Sequence, residues 1–189
     1  MATRTGERRL QILQTLAAML ENPRSEKVTT AALAAKLSVS EAALYRHFAS
    51  KAQMFEGLIE FIESTLFSFI NKITTETTDG VAQAEQTVVM LLSFAEKNPG
   101  MTRVLIGEAL VHEDERLQAR INQLTDKLEA ALRQSLRIAQ AANGWHGDAQ
   151  ADAAVLIAYV LGRWQLFAKS GFKRMPQDGW VLQRKFLFG

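Results

Sequence analysis

Three residues, Ser38-Val39-Ser40, are all the chain allows between the end of one short helical segment and the start of the next. That brevity constrains the fold more than any other feature of the sequence. Thr29-Thr30 is a plausible N-cap for a helix over residues 31–37, in which Ala32, Leu33 and Leu37 form an apolar side. Ser40 is the natural N-cap of the following helix, and Glu41 in its first turn suits the positive end of the helix dipole. Two short helices joined this tightly cannot return antiparallel. They cross at a steep angle, with Val39 filling the space between them.

Within the second of these helices Ala43, Leu44 and Phe48 can face inward, but Ala42, Tyr45, Arg46 and His47 cannot all be buried. Small residues near the start permit close approach to a surface. A polar-tipped aromatic, a guanidinium and an imidazole follow, which is the composition that a helix entering a DNA groove requires. The bland alternative is that Tyr45 only covers the edge of a core. Ser50 and Gln53 form a Ser-x-x-Gln capping box that opens a long helix over residues 51–77 and sets Lys51 beside the groove helix. The candidate DNA-contacting set is therefore Thr29, Thr30, Ser40, Ala42, Tyr45, Arg46, His47 and Lys51. Of these, Thr29, Thr30 and Lys51 are expected to meet phosphates.

Charge supports the same reading. Residues 1–55 carry eight Lys or Arg against four acids, and the remainder carries fourteen against sixteen, so a basic head stands on a weakly acidic body. Arg4, Arg8 and Arg9, at the exposed start of the first helix, are well placed to reach phosphates. The chain has no cysteine, which removes disulfides, thiol catalysis and thiolate metal sites. The three histidines, at 47, 112 and 146, lack helical pairing, so neither a metal nor another cofactor is expected. No nucleophile motif, paired catalytic carboxylates or phosphate loop appears, which argues against an enzyme. The polar N-terminus lacks a signal-peptide core and the longest apolar runs are about five residues, so a cytoplasmic protein without a membrane span is expected.

Prolines occur only at 23, 99 and 176, and no stretch alternates with period two, which points to an all-α chain. A first helix is expected over residues 5–22. The helix opening at Ser50 carries an inner stripe of Phe55, Leu58, Ile59, Ile62, Leu66, Phe69 and Ile73. A helix over 81–97 ends at Asn98-Pro99-Gly100, read as a rigid turn that leaves Lys97 and Asn98 exposed. Helices over 101–112, 115–141, about 149–170 (capped by Asp148) and 178–188 complete the chain. The seam of the second of these is Leu117, Ile121, Leu124, Leu128, Ala131, Ser135 and Ile138. The last two helices carry more large apolar residues than a chain end needs, which predicts pairing with a second copy as a four-helix interface.

Residues 29–34 followed by Val39-Ser40-Glu41-Ala42-Ala43-Leu44-Tyr45-Arg46-His47-Phe48 and Ser50-Lys51 resemble the helix-turn-helix of the TetR family. The resemblance implies a homodimer with an N-terminal three-helix DNA-binding domain over 1–50 and, over 51–189, a linker helix leading into a helical dimerisation and partner-binding domain. Residues 58–63, 98–103 and 116–124 are further similar to the nucleoid occlusion branch of that family, although Phe69 stands where that branch tends to place a basic residue. The branch implies a nucleoid-associated protein that, when bound to DNA, inhibits assembly of the tubulin-like division protein FtsZ over the chromosome. It also implies partner contacts at Phe61, Lys97 and Asn98. The alternative is a TetR-type repressor released from its operator by a small ligand, for which His112, Tyr159 and Arg163 could converge in the body.

Overall fold

The computed structural model describes residues 4–22 and 28–189. Among them it is all-α: α1 (Arg4–Leu20), α2 (Thr30–Lys36), α3 (Glu41–Tyr45), α4 (Lys51–Glu76), α5 (Gly80–Lys97), α6 (Pro99–Leu105), α7 (Glu115–Ala141), α8 (Ala149–Lys169) and α9 (Trp180–Phe188). A short 3-10 turn, Glu108–Leu110, lies between α6 and α7. These elements form two compact units. One comprises the described part of Met1–Ile62 together with Asn98–Ile121, and the other comprises Glu63–Lys97 and Asn122–Gly189.

In the first unit, α1 buries Ile12, Leu13, Leu16, Ala17 and Leu20, the 3- and 4-residue spacing of a one-sided helix. Its partner is α6. A Cβ on Gly100 would lie 2.0 Å from the Ala17 carbonyl oxygen, so the two helix backbones meet without an intervening side chain. Arg103, one turn further along α6, donates from Nη1 to the carbonyls of Leu20 at 3.0 Å and Asn22 at 3.2 Å, and from Nε to Glu108 at 2.8 Å. The end of a helix leaves carbonyls without partners, and this guanidinium supplies them for α1.

The structure corrects the expected turn at Asn98-Pro99-Gly100. Pro99 is the first residue of α6, where its missing N–H costs nothing, and Asn98 is the N-cap residue at φ −136°. Gly100 lies within that helix and is buried, so it serves close approach and not a left-handed turn. The helix expected over 101–112 stops at Leu105. Gly107, at φ +77°, turns the chain into the 3-10 segment.

In the second unit α5 packs on α8. The inner face of α8 buries Ala153, Leu156, Ile157, Val160, Trp164 and Phe167, and the Trp164 indole donates to the Leu91 carbonyl at 3.1 Å. Asp148 caps α8 as expected, accepting from the Ala151 N–H at 2.7 Å. By length and composition α8 is also apolar enough to cross a membrane, although no single apolar run suggests it. Its hydropathy has two local sources, the buried face just described and an outer stripe of Ala151, Ala154, Val155, Ala158, Gly162 and Leu166.

Helix α9 buries none of its residues fully and is tethered by polar bonds. The Arg163 guanidinium donates to the carbonyls of Met175, Pro176 and Asp178, each at 2.8 Å. The Tyr159 hydroxyl donates to Gln183 at 2.5 Å, and Arg184 pairs with Glu85 at 2.7 Å. Glu96 accepts from the Gln177 backbone at 2.8 Å and from its side-chain amide at 3.0 Å.

Two buried stripes run differently from their expected registers. On α4 the line passes from Ile62 and Leu66 to Ile70, leaving Phe69 45% exposed and Ile73 half-buried. On α7 it moves to Leu132, Leu136 and Ala139, leaving Ala131 and Ile138 half-buried. A strict alternation of three- and four-residue steps advances 3.5 residues per turn, whereas a straight α-helix needs 3.6. A long helix therefore drifts by about 20° per heptad and takes an extra four-residue step.

Substituting Gly100→Ala is expected to cost about 3 kcal/mol and lower Tm by roughly 6–12 °C, because the new methyl meets backbone on α1. Thermal denaturation of this variant beside Gly162→Ala checks it: the Gly162 position has nothing within 4 Å of a Cβ in the protomer.

Candidate nucleic-acid interface

The head is assembled from caps. The Thr29 hydroxyl accepts from the Ala32 N–H at 3.1 Å, and Ser40 does the same for Ala43 at 3.3 Å, so both predicted N-caps are in place. At the far end of α2, Ser38 takes a left-handed φ of +54°. The Ser38 N–H then reaches the Ala35 carbonyl and the Val39 N–H reaches Ala34, both at 3.0 Å, which is the Schellman closure. Glycine is the usual residue there, and its absence is why the sequence alone gave no sign of this device. The Thr30 hydroxyl donates to Glu41 at 2.6 Å and ties α2 to α3 across the turn.

Helix α3 ends at Tyr45, three residues before Phe48, and its close is held from α1. The Arg9 guanidinium donates to the His47 carbonyl at 2.7 Å and lies 4.3 Å over the Phe48 ring, which is itself buried together with Leu44. Anchored from behind, α3 presents Ala42, Tyr45 and Arg46 outward. These positions are i, i+3 and i+4, one helical face, and all three are exposed, Tyr45 by 44%. Their chemistry is a methyl-sized gap, a phenol and a guanidinium on a face with no competing apolar cover.

The other expected contact residues divide. Thr29 and Ser40 are exposed, but their hydroxyls serve as caps, and the Thr30 hydroxyl is directed to Glu41. His47 is half-buried; its Nδ1 is enclosed with no hydrogen-bond partner, so it stands apart from the exposed face. Lys51 opens α4 beside the capping box, in which the Gln53 N–H donates to Ser50 at 3.1 Å and the Gln53 side chain accepts from the Ala49 N–H at 2.9 Å. Its ammonium is 2.5 Å from Glu113 Oε1. Arg8 donates to Gln11, and Arg9, although exposed, holds the His47 carbonyl. The Arg4 side chain and residues 24–27 lie outside the described residues.

Of the expected partner contacts, Phe61 and Asn98 are half-buried in the first unit, and Lys97 is exposed at the end of α5 in the second. The sequence missed a feature of the second unit, an open groove of about 570 Å³ between the C-terminal half of α4 and α5. Phe69, Ile73, Val89 and Met90 form its apolar floor, and Lys72 and Glu85 stand among its charged lining residues. The signal was the off-register Phe69. Of Tyr159 and Arg163, proposed to converge on a small ligand, Tyr159 is committed to Gln183 on α9 and Arg163 to the carbonyls of Met175, Pro176 and Asp178 just before it. Burial raises the Tyr159 phenol above its usual range while Arg163 opposes this. His112 is exposed in the first unit.

Comparison with known proteins agrees with this geometry. The family described as "Bacterial regulatory proteins, tetR family" matches residues 25–58, and "Tetracyclin repressor-like, C-terminal domain" (SlmA-like) matches residues 78–189. The chain is 50% identical over 179 residues to the nucleoid occlusion factor SlmA of Alteromonas mediterranea, covering 94% of this chain and 92% of that protein. It is 51% identical over 172 residues to SlmA of Vibrio cholerae, covering 89% and 88%. Among solved structures, the fatty acid degradation regulator FadR of Bacillus halodurans superposes with a TM-score of 0.81 at 14% identity, covering 99% and 97% of the two chains, which shows a shared fold.

Arg9→Ala is expected to destabilise the head by about 1–2 kcal/mol, because it removes both the acceptor's partner at His47 and the cover over Phe48. Arg9→Lys should not restore it, since a lysine lacks the planar group that does both at once. Chemical denaturation of the three proteins decides the point.

Proposed function

The chain belongs to the SlmA nucleoid occlusion factors, a branch of the TetR family, and we propose that it works as a DNA-bound homodimer that inhibits FtsZ assembly over the chromosome. The observation that carries this reading is the exposed face of α3, where Ala42, Tyr45 and Arg46 stand together on a helix fixed from behind by Arg9 and Thr30. A helix held at both ends and bare on one side can enter a major groove at little entropic cost. Ala42, Tyr45 and Arg46 read base edges, and the residues around them with phosphate reach, Thr29 and Lys51 among them, fix the register.

Dimerisation follows from the surface of α8 and α9. The outer stripe of α8 continues in purpose on α9, where Val181, Leu182 and Phe186 are exposed, the last by 90%. So much apolar area on two helices is what a second copy covers, as a four-helix contact about a two-fold axis. Two groove helices then meet half-sites about 34–36 Å apart, or a multiple of that spacing. On this reading the protein works in the cytoplasm, on the nucleoid.

The α4–α5 groove is the surface we assign to FtsZ. Its apolar floor takes a side-chain anchor of a short FtsZ segment, and the exposed Lys72 offers it a charge partner, while Glu85 is held by Arg184. Binding there leaves α3 untouched, so the protein can hold DNA and FtsZ together.

Two measurements test the reading. Capture of FtsZ on the immobilised protein, with and without target duplex, is expected to require an intact groove: Phe69→Asp should lose FtsZ and keep DNA binding. No capture in either condition returns the body to a ligand-responsive role. For the dimer, sedimentation at micromolar concentration is expected to show a two-chain species that Phe186→Asp converts to single chains; a wild-type monomer sinks the proposed interface.

A further inference from the structure

We propose that Glu113 is a built-in competitor for DNA, holding Lys51 with a carboxylate that a phosphate must displace. The inference rests on the DNA-binding reading and deepens it. Lys51 is the first residue of α4, directly after the Ser50 cap, at the position the head offers to a phosphate. Its ammonium is not waiting in solvent. It sits 2.5 Å from Glu113 Oε1 and 5.7 Å from the centre of the Phe55 ring, with the Lys51 and Glu113 side chains only 22% and 10% exposed.

Glu113 reaches this place because residues 106–114 are shaped to bring it there. Gly107 turns the chain at φ +77°, the Glu108–Leu110 segment winds as a 3-10 turn, and the Glu113 N–H closes on the Leu110 carbonyl at 3.0 Å. Arg116, three residues on, pairs with Glu56 at 3.0 Å and fixes the start of α7 against α4. Among the described residues Lys51 is the cation on the Glu113 carboxylate. A carboxylate and a phosphodiester are alternative anionic acceptors for one ammonium, and a point charge on a flexible stem can swap between them.

Two consequences follow. The free protein binds every duplex more weakly than its head allows, because each binding event must first open a largely sheltered pair. Occupation of the groove also frees Glu113, so DNA binding and the conformation of residues 106–114 are linked in both directions.

The test uses the full-length protein with a duplex selected by the wild type and a scrambled duplex, with dissociation constants measured across a salt series. Glu113→Gln is expected to tighten binding to both duplexes by roughly three- to tenfold and to steepen the salt dependence by up to about one unit. The gain should vanish in a Lys51→Ala background, and Glu115→Gln, an exposed acid two residues away, should give much less. Glu113→Asp, whose shorter arm withdraws the carboxylate, should give an intermediate gain and serves if the glutamine variant melts early. Unchanged or weaker binding by both Glu113 variants overturns the proposal and makes Glu113 a strut for Lys51. So does a gain that persists without Lys51, which would be a general charge effect. A wild type that selects no duplex from a random pool removes the DNA reading itself, and the competitor with it, before any variant is made.

Discussion

The contact on which the DNA-binding unit depends is the bare meeting of α1 and α6. Gly100 lets the α6 backbone come within a missing methyl of the Ala17 carbonyl, and Arg103 then closes the open end of α1 by donating to Leu20 and Asn22. Neither interaction is large alone. Together they fix α1, and α1 in turn fixes α3 through Arg9, which carries the His47 carbonyl and covers Phe48. The exposed face of α3 is therefore positioned through α6 and α1 by Gly100, Arg103 and Arg9. The packed unit that holds the head consequently includes residues 98–121, beyond the boundary at residue 50 that sequence segmentation suggests.

Much of this was legible from sequence because the signals were local. Thr29, Ser40, Asp148 and the Ser50–Gln53 pair announce helix starts through side-chain chemistry that acts over three residues, and all appear where expected. Of the four residues expected to face outward, Ala42, Tyr45 and Arg46 are exposed, but His47, beyond the end of the five-residue helix, is half-buried with its Nδ1 enclosed. What escaped depends on distant partners. Asn98-Pro99-Gly100 has the composition of a turn, and only the presence of α1 beside it explains why glycine is needed inside a helix. The stripes on α4 and α7 slipped because periodicity fixes a face near the start of a helix and loses it over five or six turns. Phe69, Ala131 and Ile138 are the residues where that loss shows.

Sequence also cannot say which charged groups are already engaged. The head reads as a reservoir of cations, yet Arg9 is bound to His47 and Lys51 to Glu113, while Thr30 is turned to Glu41. In the second unit Arg163 and Tyr159 look like the polar groups of a ligand pocket, but Arg163 is spent on residues 175–178 leading into α9 and Tyr159 on α9 itself. The basic surplus of residues 1–55 is thus larger in the sequence than in uncommitted surface charge: among its described members Arg9, Lys36 and Arg46 are exposed, and Arg9 is already bonded to His47.

This accounting bears on how one chain can report where DNA lies. A head whose cations were all free would bind any polyanion; with Thr30 held by Glu41 and Lys51 by Glu113, the proposed reading puts more of the affinity on the α3 face. Base-edge contacts distinguish sequences and phosphate contacts do not, so on the proposed reading internal pairing trades strength for discrimination. The same economy holds in the second unit, where polar bonds secure α9 and leave its apolar side chains, and those of α8, uncovered for a second copy. Polar groups turned inward fix the shape, and the few faces left unspent on α3, on α8 and α9, and in the α4–α5 groove are the ones through which we propose that the protein acts.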